Sequence, residues 1–516
     1  MNFNWLHNKY SVLFSQRFCS VSFRVKYFKN MGPKNSEEST AIRIDSQEID
    51  TTPTFQPKIL PQLFPTLIVC LACFEVGAVR VWTSPALPDL ERQNLFGGLT
   101  PNDKSWIASA VTLGAVVSGP AAGFILDRVG RRKSLVLLAI PLIIGWLLIA
   151  FAPTVTLMSV GRFVNGISIG GYIMVSNVYL AEISEQRIRG SILSATSIAL
   201  GSGILFTYIL GTFFSWFMLS AVNIVISIII LLAIPTIPES PVYLIHKGHK
   251  KKAGMELMRL RGATQFHEIE DELNELHSYS DYDHKIQAQR STQSHQSLWT
   301  RLTRKGSLKA LGITFGLMIF QQLSGINAVM FFTARIFSAA QTNLDANVCA
   351  ILIGVDTLFA VILSLFLIDK LGRRMLLFIS QLGTCFCLVC LGVVFYWQEK
   401  NDGATPNEIS WVPLLSLVLF VVFFNIGIGP LAWFLMSEII PTDVKGPASA
   451  AATSFNWLLA FVVTKTFEDL IQLMGIHLYF WFFAGVCFAG FLFCYLFVPE
   501  TRGKTLDEIQ CDFKSK

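Results

Sequence analysis

The sequence predicts an all-α membrane protein: twelve transmembrane helices in two pseudo-symmetric six-helix halves, with a cytoplasmic helical linker between them. Three observations predict this fold. The 516-residue chain is 52% hydrophobic and only 15% charged, with a mean hydropathy of +0.52. Apolar runs of about 20 residues, the length that crosses a hydrocarbon core, recur along it. Charged motifs at the ends of these runs occur twice, once in each half of the chain.

The apolar runs are predicted to be helices, because every backbone polar group in lipid needs an internal partner. The period-2 alternation of a membrane β-barrel is absent. Six runs precede a long polar stretch and six follow it. In chain order they are Pro61–Trp82, Ser105–Leu126, Ser134–Pro153, Val155–Leu180, Ser191–Gly211, Thr212–Pro235, Leu308–Phe332, Val348–Ile368, Met375–Trp397, Trp411–Met436, Pro447–Thr466 and Leu478–Val498.

Three pairs of charged motifs show that the chain is doubled. The first motif joins runs two and three, and again runs eight and nine. The second follows runs four and ten, and the third follows runs six and twelve. Corresponding acids are 242, 256 and 261 residues apart; they are Asp127 and Asp369, Glu182 and Glu438, and Glu239 and Glu500. Such internal doubling is typical of secondary transporters.

The motifs predict a charge network on one membrane surface. Each copy of the first motif has an acid at a helix end, a glycine that permits a tight turn, and two arginines. Such a network can clamp two halves in one state and must break in the other. We assign to it the acids above together with Arg128, Gly130, Arg131, Arg132, Arg162, Arg189, Gly372, Arg373, Arg374 and Lys445.

The basic residues also predict topology. They follow even-numbered runs, whereas the connections after runs three, five and eleven hold no Lys or Arg. The positive-inside rule then places both termini and the central linker in the cytoplasm of a multi-pass cell-membrane protein. Because topology explains the net charge of +6, nothing in it requires nucleic acid.

We predict five segments. A cytoplasmic tail, expected to be disordered, covers residues 1–57; an organelle transit peptide or an internal start at Met31 are alternatives. The six-helix halves cover 58–238 and 308–498. The linker, 239–307, is expected to hold short helices, His249–Arg261 and His267–His277, that dock through leucines. A cytoplasmic tail covers 499–516.

No metal site, disulfide framework or cofactor is predicted. Cys385, Cys387 and Cys390 lie inside a run with no nearby histidine, so small apolar packing explains them. Six of the eight histidines are spread through the linker. No nucleotide-binding motif or catalytic constellation is present, so we predict that the protein is not an enzyme. The oligomeric state is left open, and a monomer is compatible with the sequence.

Ionisable residues inside the runs are expected to be functional or paired, since a charge at the bilayer centre costs about 2.5–3.5 kcal/mol on insertion scales. Glu75 and Arg80 lie in run one, Arg162 in run four and Asp356 in run eight. We expect Glu75 to pair with Arg80 or Arg162. Asp356 either contacts a substrate or belongs to a structural pair, and both carboxylates are candidates for coupling.

Many motifs together resemble the sugar porters of the major facilitator superfamily, and most of all the insect facilitated trehalose transporters. The resemblance runs from about Pro57 to Ile509. It rests on Gly161-Arg162 with Gly166, Gly170 and Gly171; Pro238-Glu239-Ser240-Pro241; Gln321-Gln322-Leu323-Ser324-Gly325-Ile326-Asn327; Gly429-Pro430 with Trp433; and Pro499-Glu500-Thr501-Arg502-Gly503-Lys504-Thr505. Thr83-Ser84-Pro85-Ala86-Leu87 and Asn456-Trp457 point to the trehalose-transporter subgroup.

The resemblance implies facilitated diffusion of a sugar, hexose or trehalose, by alternating access. Amide side chains suit sugar hydroxyls because they both donate and accept, and a tryptophan face suits the apolar side of the ring. The implied sugar-binding residues are Gln321, Gln322, Asn327, Asn425, Trp433 and Asn456. Interhelical hydrogen bonds are the alternative role for the amides, and an interfacial position is the alternative for Trp433. Glycines at 427 and 429 mark a point where run ten can bend.

The chain departs from the family pattern at several positions. Ser197 stands where a glutamine is common, and Phe331-Phe332 replaces a tyrosine pair. The implied cavity therefore has fewer hydrogen-bonding groups, so either the substrate is unusual or the affinity is low. Gly77 stands where proton-coupled relatives tend to carry aspartate, which favours uniport. Proton–sugar symport and a sugar-sensing receptor that does not transport remain the alternatives.

Overall fold

The described part of the chain contains twelve helices that are long and apolar enough to cross a membrane. The computed structural model describes residues 57–278, 298–340, 344–401, 409–441, 444–502 and 508, which fall in the unit Gln56–Lys516. The helices, called spans 1 to 12, are Leu60–Val81, Pro101–Val129, Arg131–Ala150, Val155–Ile183, Arg189–Phe213, Trp216–Thr236, Lys305–Phe331, Ala346–Ile368, Arg373–Lys400, Val412–Ile439, Lys445–Met474 and Ile476–Phe497. The predicted twelve spans are confirmed, with bounds that shift by a few residues.

The spans form two halves with the same internal arrangement. In spans 1–6 the neighbouring pairs include 1 with 5, 2 with 4, 3 with 4, and 3 with 6. The equivalent pairs 7 with 11, 8 with 10, 9 with 10, and 9 with 12 are neighbours in the second half. Spans 2 and 11 and spans 5 and 8 pack across the interface between halves. This recurrence is what a duplicated bundle related by a pseudo-twofold axis produces.

Glycine makes the sharp turns between spans 2 and 3 and between spans 8 and 9. Gly130 has a φ of 101° and Gly372 a φ of 86°, both in the left-handed region that L side chains rarely adopt. Gly130 follows Val129, the last residue of span 2, and Gly372 follows Leu371, where the helix of span 8 ends. In both cases the next span begins at the residue after the glycine. The predicted tight turns are confirmed at both copies of the motif.

The linker holds the predicted short helices. They are Pro241–His246, Lys250–Arg261, the 3₁₀ turn Phe266–Ile269 and the helical residues 270–278. A small apolar cluster that includes Leu257, Ile269 and Leu273 holds them together. The guanidinium of Arg261 donates to the Ile183 carbonyl at 2.9 Å and so attaches the linker to the end of span 4. We call this membrane surface the linker side and the opposite surface the far side.

Two features differ from expectation. The connection after span 1, for which no helix is predicted, contains the helix Thr83–Arg92, because Trp82 between the two helices keeps helical backbone angles. Span 7 is not one helix but two, Lys305–Gln322 and Ile326–Phe331, followed by Thr333–Ala340. The predicted tail 1–57, apart from residue 57, and the linker stretch 281–297 lie outside the described residues.

Candidate functional site

A break in span 7 brings its polar side chains together. The first helix ends at Gln322, and the chain then turns through Leu323, Ser324 and Gly325. Gly325 has a φ of 87°, so this turn needs a residue without a Cβ. The second helix begins at Ile326, which places Asn327 in its first turn, close to Gln322.

A second break, in span 10, faces the first. Its helix stops at Ile426 and resumes at Ile428, with Gly427 at φ −132° and ψ −97°. A Cβ on Gly427 would overlap the side chain of Ser380 in span 9, whose Oγ accepts from the Ile428 backbone N–H at 3.0 Å. The predicted bend in span 10 is therefore confirmed. It gives the Gly429 carbonyl a partner outside its own helix.

The two breaks and span 11 support a continuous chain of side-chain amides. Gln321 Nε2 donates to the Gly429 carbonyl at 2.6 Å, and its Oε1 accepts from Asn456 Nδ2 at 2.7 Å. Asn456 Oδ1 accepts from Gln322 Nε2 at 2.6 Å, and Gln322 Oε1 accepts from Asn327 Nδ2. We call Gln321, Gln322, Asn327 and Asn456 the amide chain. All four are buried, so each lost bond would leave a polar group in an apolar interior.

Arg80 extends the amide chain across the interface between halves. This side chain is partly buried near the far end of span 1, and its Nη2 donates to Asn327 Oδ1 at 3.0 Å. From the sequence, Arg80 is expected only to pair with Glu75, and its contact with Asn327 was not predicted. The sequence feature that indicates this contact is the single arginine of the mostly apolar span 1, which lies at the membrane depth of the polar residues in span 7.

The other two implied sugar ligands lie apart from this chain of bonds. Asn425 Nδ2 donates to the Val421 carbonyl of its own helix at 2.9 Å. Trp433 is half-buried one turn beyond Gly429 and packs against the apolar core. Neither has a hydrogen bond to the amide chain in the described structure. Their assignment to substrate stays a prediction.

The expected ion pair of Glu75 is wrong. Glu75 is fully buried, and its carboxylate accepts from the Trp146 indole N–H at 3.3 Å rather than pairing with an arginine. Arg162 instead donates to the backbone carbonyls of Ile107, at 3.2 Å, and Val79, at 2.6 Å. The physical reason is geometric, since each arginine finds oxygen acceptors closer than the carboxylate. Asp356 is half-buried and has no ion pair among the described residues.

Arg162 also lies far from the charge network to which the sequence assigned it. It is 20 residues before Glu182 on the same helix, roughly 30 Å along the axis at 1.5 Å per residue. That distance separates the far side from the linker side. Its assignment to the linker-side network is therefore corrected: in this structure Arg162 holds spans 1, 2 and 4 together through their backbone.

The linker side carries two matching clusters of the motif residues. In the first cluster Glu239 Oε1 accepts from the backbone N–H groups of Arg131 and Arg132, both at 3.0 Å. It thereby caps the start of span 3, where the backbone donors lack helical partners. Arg131 forms a bidentate pair with Glu182, at 2.7 and 2.8 Å. Ser240 donates to the same carboxylate.

The second cluster repeats this arrangement. Glu500 accepts from the backbone N–H groups of Arg373 and Arg374, both at 3.1 Å, at the start of span 9. Arg373 Nη2 lies 3.4 Å from Glu438. The second arginine of each motif also has an equivalent role, because Arg132 and Arg374 both donate to a backbone carbonyl near the end of the last span of their half.

The remaining network residues are more loosely attached. Asp127 and Arg128 are exposed, with the Arg128 guanidinium 3.9 Å from the Phe124 ring centre. Arg189 donates to the Ser184 carbonyl at 3.3 Å, and Lys445 is the half-buried first residue of span 11. The Asp369 side chain lies outside the described part. Among described residues, every ion pair of the network lies within one half, so here the clusters stabilise each half instead of joining the two.

Most hydrogen bonds between the halves lie on the far side; one other, from Ser454 Oγ to the Val116 carbonyl at 3.2 Å, joins spans 11 and 2 away from it. Besides Arg80 and Asn327, the Ala334 N–H donates to Ser84 Oγ at 3.1 Å. Tyr208 donates to the Met330 carbonyl at 3.0 Å. Lys465, at the far end of span 11, donates to side chains of the first turn of span 2, Asn102 at 2.9 Å and Ser105 at 2.8 Å.

A cavity of about 190 Å³ opens on this far side, between the halves. Its lining includes three charged side chains, those of Glu91, Lys104 and Arg335. Glu91 pairs with Lys104, and Arg335 pairs with the fully buried Glu468. The ring of Phe332, which also lines the cavity, stacks on that of Phe467 with centroids 4.1 Å apart. Within the described residues no group of three or more His, Cys, Asp or Glu could hold a metal ion.

Comparison with known proteins gives the family. Residues 24–513 match the profile described as "Sugar (and other) transporter". The chain belongs to this family. Relatives include the "Facilitated trehalose transporter Tret1" of Drosophila mojavensis, 38% identical over 461 residues, which are 89% of this chain and 52% of that protein. This chain thus spans about half the length of the first relatives it matches. The "Facilitated trehalose transporter Tret1-2 homolog" of Drosophila simulans is 36% identical over 91% of this chain and 95% of its own length.

Solved structures of similar fold agree with the family. One is "the MFS (major facilitator superfamily) proton:xylose symporter XylE bound to 6-bromo-6-deoxy-D-glucose", with a TM-score of 0.68 and 25% identity over 88% of this chain and 99% of that one. Another is the inward-open conformation of the xylose transporter XylE from E. coli, with a TM-score of 0.69 and 26% identity. The match covers 86% of this chain and 98% of that one. The major facilitator fold expected from the sequence is confirmed for this family member.

Proposed function

We propose that this protein carries a sugar, hexose or trehalose, across a membrane by facilitated diffusion with alternating access. The observation that carries the proposal is the amide chain at the breaks of spans 7 and 10, joined to the other half through Arg80. Breaks leave backbone groups and amides available inside the bundle, which is tolerated only where they line a cavity or meet protein partners. The names of the relatives support the same substrate class.

Side-chain amides are well suited to this substrate. A sugar hydroxyl both donates and accepts, as does an amide, so exchanging amide–amide bonds for amide–sugar bonds leaves no buried group unpaired. The amide chain supplies four such groups from spans 7 and 11. We assign Gln321, Gln322, Asn327 and Asn456 to the substrate, with Trp433 and Asn425 as outer contacts.

The described state is one stage of the proposed cycle. Most hydrogen bonds between the halves lie at the far side, whereas the linker-side clusters are bonded within each half. This pattern supports a state closed at the far side. Opening to that side requires the far-side bonds to break, and the linker-side residues are then placed to join the halves.

The orientation of the protein in the membrane is proposed from the positions of its arginines. Because Arg128, Arg131, Arg132, Arg373 and Arg374 lie at the linker side, we place that side in the cytoplasm of a multi-pass plasma-membrane protein, with both termini there. We retain the five predicted segments, with the halves at 58–238 and 308–498. We assign the protein no catalytic activity and no cofactor.

Proton symport is the alternative that the xylose symporter and the buried Glu75 favour. Two observations support uniport instead. Gly77 packs so closely against the Leu200 carbonyl of span 5 that even a Cβ would overlap it, so no carboxylate fits there. Glu75 accepts a hydrogen bond from Trp146 and shares none with the amide chain in the described structure.

Proteoliposome transport tests the proposal. Purified full-length protein should equilibrate labelled D-glucose or trehalose across the membrane, and a protonophore should leave the initial rate unchanged. Uptake that exceeds equilibrium and collapses with the protonophore would instead establish symport. Saturable binding without efflux of preloaded sugar would favour a sensor that does not transport. If no saccharide is carried or bound, the proposal is wrong.

A further inference from the structure

Arg80 places a positive charge next to the amide chain. It lies in the last turn of span 1, one residue before Val81, and its Nη2 contacts Asn327 at 3.0 Å. Asn327 in turn is bonded to Gln322. The guanidinium therefore directly contacts one of the residues assigned to sugar hydroxyls.

No carboxylate of the described residues neutralises this charge. None of the ion pairs in the described residues includes Arg80, and its Nε is buried without a hydrogen-bond partner. Glu75, five residues earlier in span 1, bonds to Trp146 instead, and Asp356 forms no ion pair. A buried cation without a counter-ion is unfavourable, so it calls for a function or a partner.

A structural link to Asn327 does not need a charge. A glutamine amide could donate the same bond to Asn327 Oδ1 without the cost of burying a cation. The guanidinium has five N–H donors, and the described structure uses only Nη2. What remains is the fork that binds a carboxylate or a phosphate in bidentate fashion.

We infer that Arg80 contacts the substrate and gives the site a preference for a saccharide that carries an anionic group. This inference rests on the proposed sugar-transport function. The amide chain binds the hydroxyls, and the free donors of Arg80 bind the anion. The same arrangement accounts for the buried Phe331 and Phe332, which have no hydroxyls, because the Arg80 cation supplies part of the substrate binding that neutral hydroxyls would otherwise supply.

The test compares three labelled probes in proteoliposomes of the full-length protein, held at zero membrane potential with equal potassium and valinomycin. The probes are D-glucose, D-glucuronate and D-glucose 6-phosphate. The variants are Arg80→Gln and Arg80→Lys. The control is Arg92→Gln, an exposed far-side arginine paired with Asp89 at 2.6 Å and outside the site.

In the wild type we expect at least one anionic probe to enter roughly tenfold more efficiently than D-glucose, the factor that one charge-assisted hydrogen bond supplies. Whether glucuronate or the phosphate is preferred identifies the anion. Arg80→Gln should reduce the ratio of anionic to neutral uptake about tenfold. Arg80→Lys should keep most of the preference, and Arg92→Gln should leave the ratio unchanged.

Two outcomes would overturn the inference. One is wild-type uptake of D-glucose with no faster entry of either anionic probe; the proposed sugar transport would then stand alone. The other is an Arg80→Gln variant that slows all three probes equally, which would make Arg80 a link between halves only. The comparison of probes in the wild type needs no variant, so it tests the inference even if Arg80→Gln misfolds. Failure of all saccharides to cross would instead remove the proposed function itself.

Discussion

Arg80 in span 1 donates a hydrogen bond to Asn327 in span 7, from Nη2 to Oδ1 at 3.0 Å. The two residues are 247 positions apart and belong to opposite halves. Because Asn327 also donates to Gln322, the bond connects the first half to the amide chain of the second. Any movement that separates the far ends of spans 1 and 7 must break it, so the site and the closure of the far side are physically coupled.

The amide chain predicts a ranking of variants. Gln322→Ala removes the partner of both Asn456 and Asn327, and Asn327→Ala removes the partner of Gln322. Each should lower sugar uptake roughly tenfold, about 1.4 kcal/mol. Asn425→Ala should lower it less than threefold, because the Asn425 amide bonds to the Val421 carbonyl of its own helix. Initial rates in proteoliposomes, normalised to inserted protein, measure the ranking; an Asn425 effect as large as that of Gln322 would contradict it.

The linker-side clusters predict equal effects at equivalent positions. Glu239→Ala and Glu500→Ala each remove the acceptor for two backbone N–H groups at the start of a span, and each should lower the free energy of unfolding by about 1–2 kcal/mol. Glu239→Gln and Glu500→Gln each keep an acceptor oxygen and should lower the free energy of unfolding by less. Thermal unfolding in detergent measures this, with the exposed Asp127→Ala as the control. A loss at only one of the two sites would argue against equivalent capping roles.

The membrane architecture was readable from the sequence because it depends on local quantities. Twenty apolar residues in a row must become a helix in lipid, and a repeated D-R-x-G-R-R must make the same turn twice. Gly130 and Gly372 confirm this with the same left-handed backbone. The bend at Gly427 was visible for a similar reason, since glycine weakens a helix wherever it occurs.

Side-chain partners were less predictable, because they depend on which helices become neighbours. Glu75 and Arg80 lie five residues apart, yet each finds its partner on another span, Trp146 and Asn327. Arg162 shares a helix with Glu182 but not a membrane surface. The break in span 7 was missed because Leu323 and Ser324 are ordinary helix residues, and only the left-handed angle of Gly325 reveals the turn.

The linker predicts one pH-dependent contact. Glu268 accepts from the backbone N–H groups of Gln265, at 3.1 Å, and Thr264, at 2.8 Å, which lowers the pKa of its carboxyl. A lowered folded pKa means that this capping stabilises the linker above the unfolded pKa and is lost as pH falls through the folded value. Hydrogen-exchange protection of the Thr264 and Gln265 amides should therefore fall on acidification. Glu268→Ala, which has no side-chain acceptor, should show low protection at every pH; persistent protection in that variant would exclude the mechanism.

The turn in span 7 predicts that two glycines of one span respond in opposite ways to alanine. Gly325→Ala forces a Cβ into a left-handed conformation at φ 87°, which should cost about 1–2 kcal/mol and disturb the spacing of Gln322 and Asn327. Uptake should then fall by a larger factor than the loss of stability alone explains, since the site depends on that spacing. Initial uptake rates and the unfolding temperature measure the two effects. Gly312→Ala is the matched control: it is helical, a Cβ there meets no atom within 4 Å, and alanine favours the helix. It should leave uptake unchanged and leave stability equal or slightly higher. Equal behaviour of the two variants would mean that the turn at Gly325 does not position the amide chain.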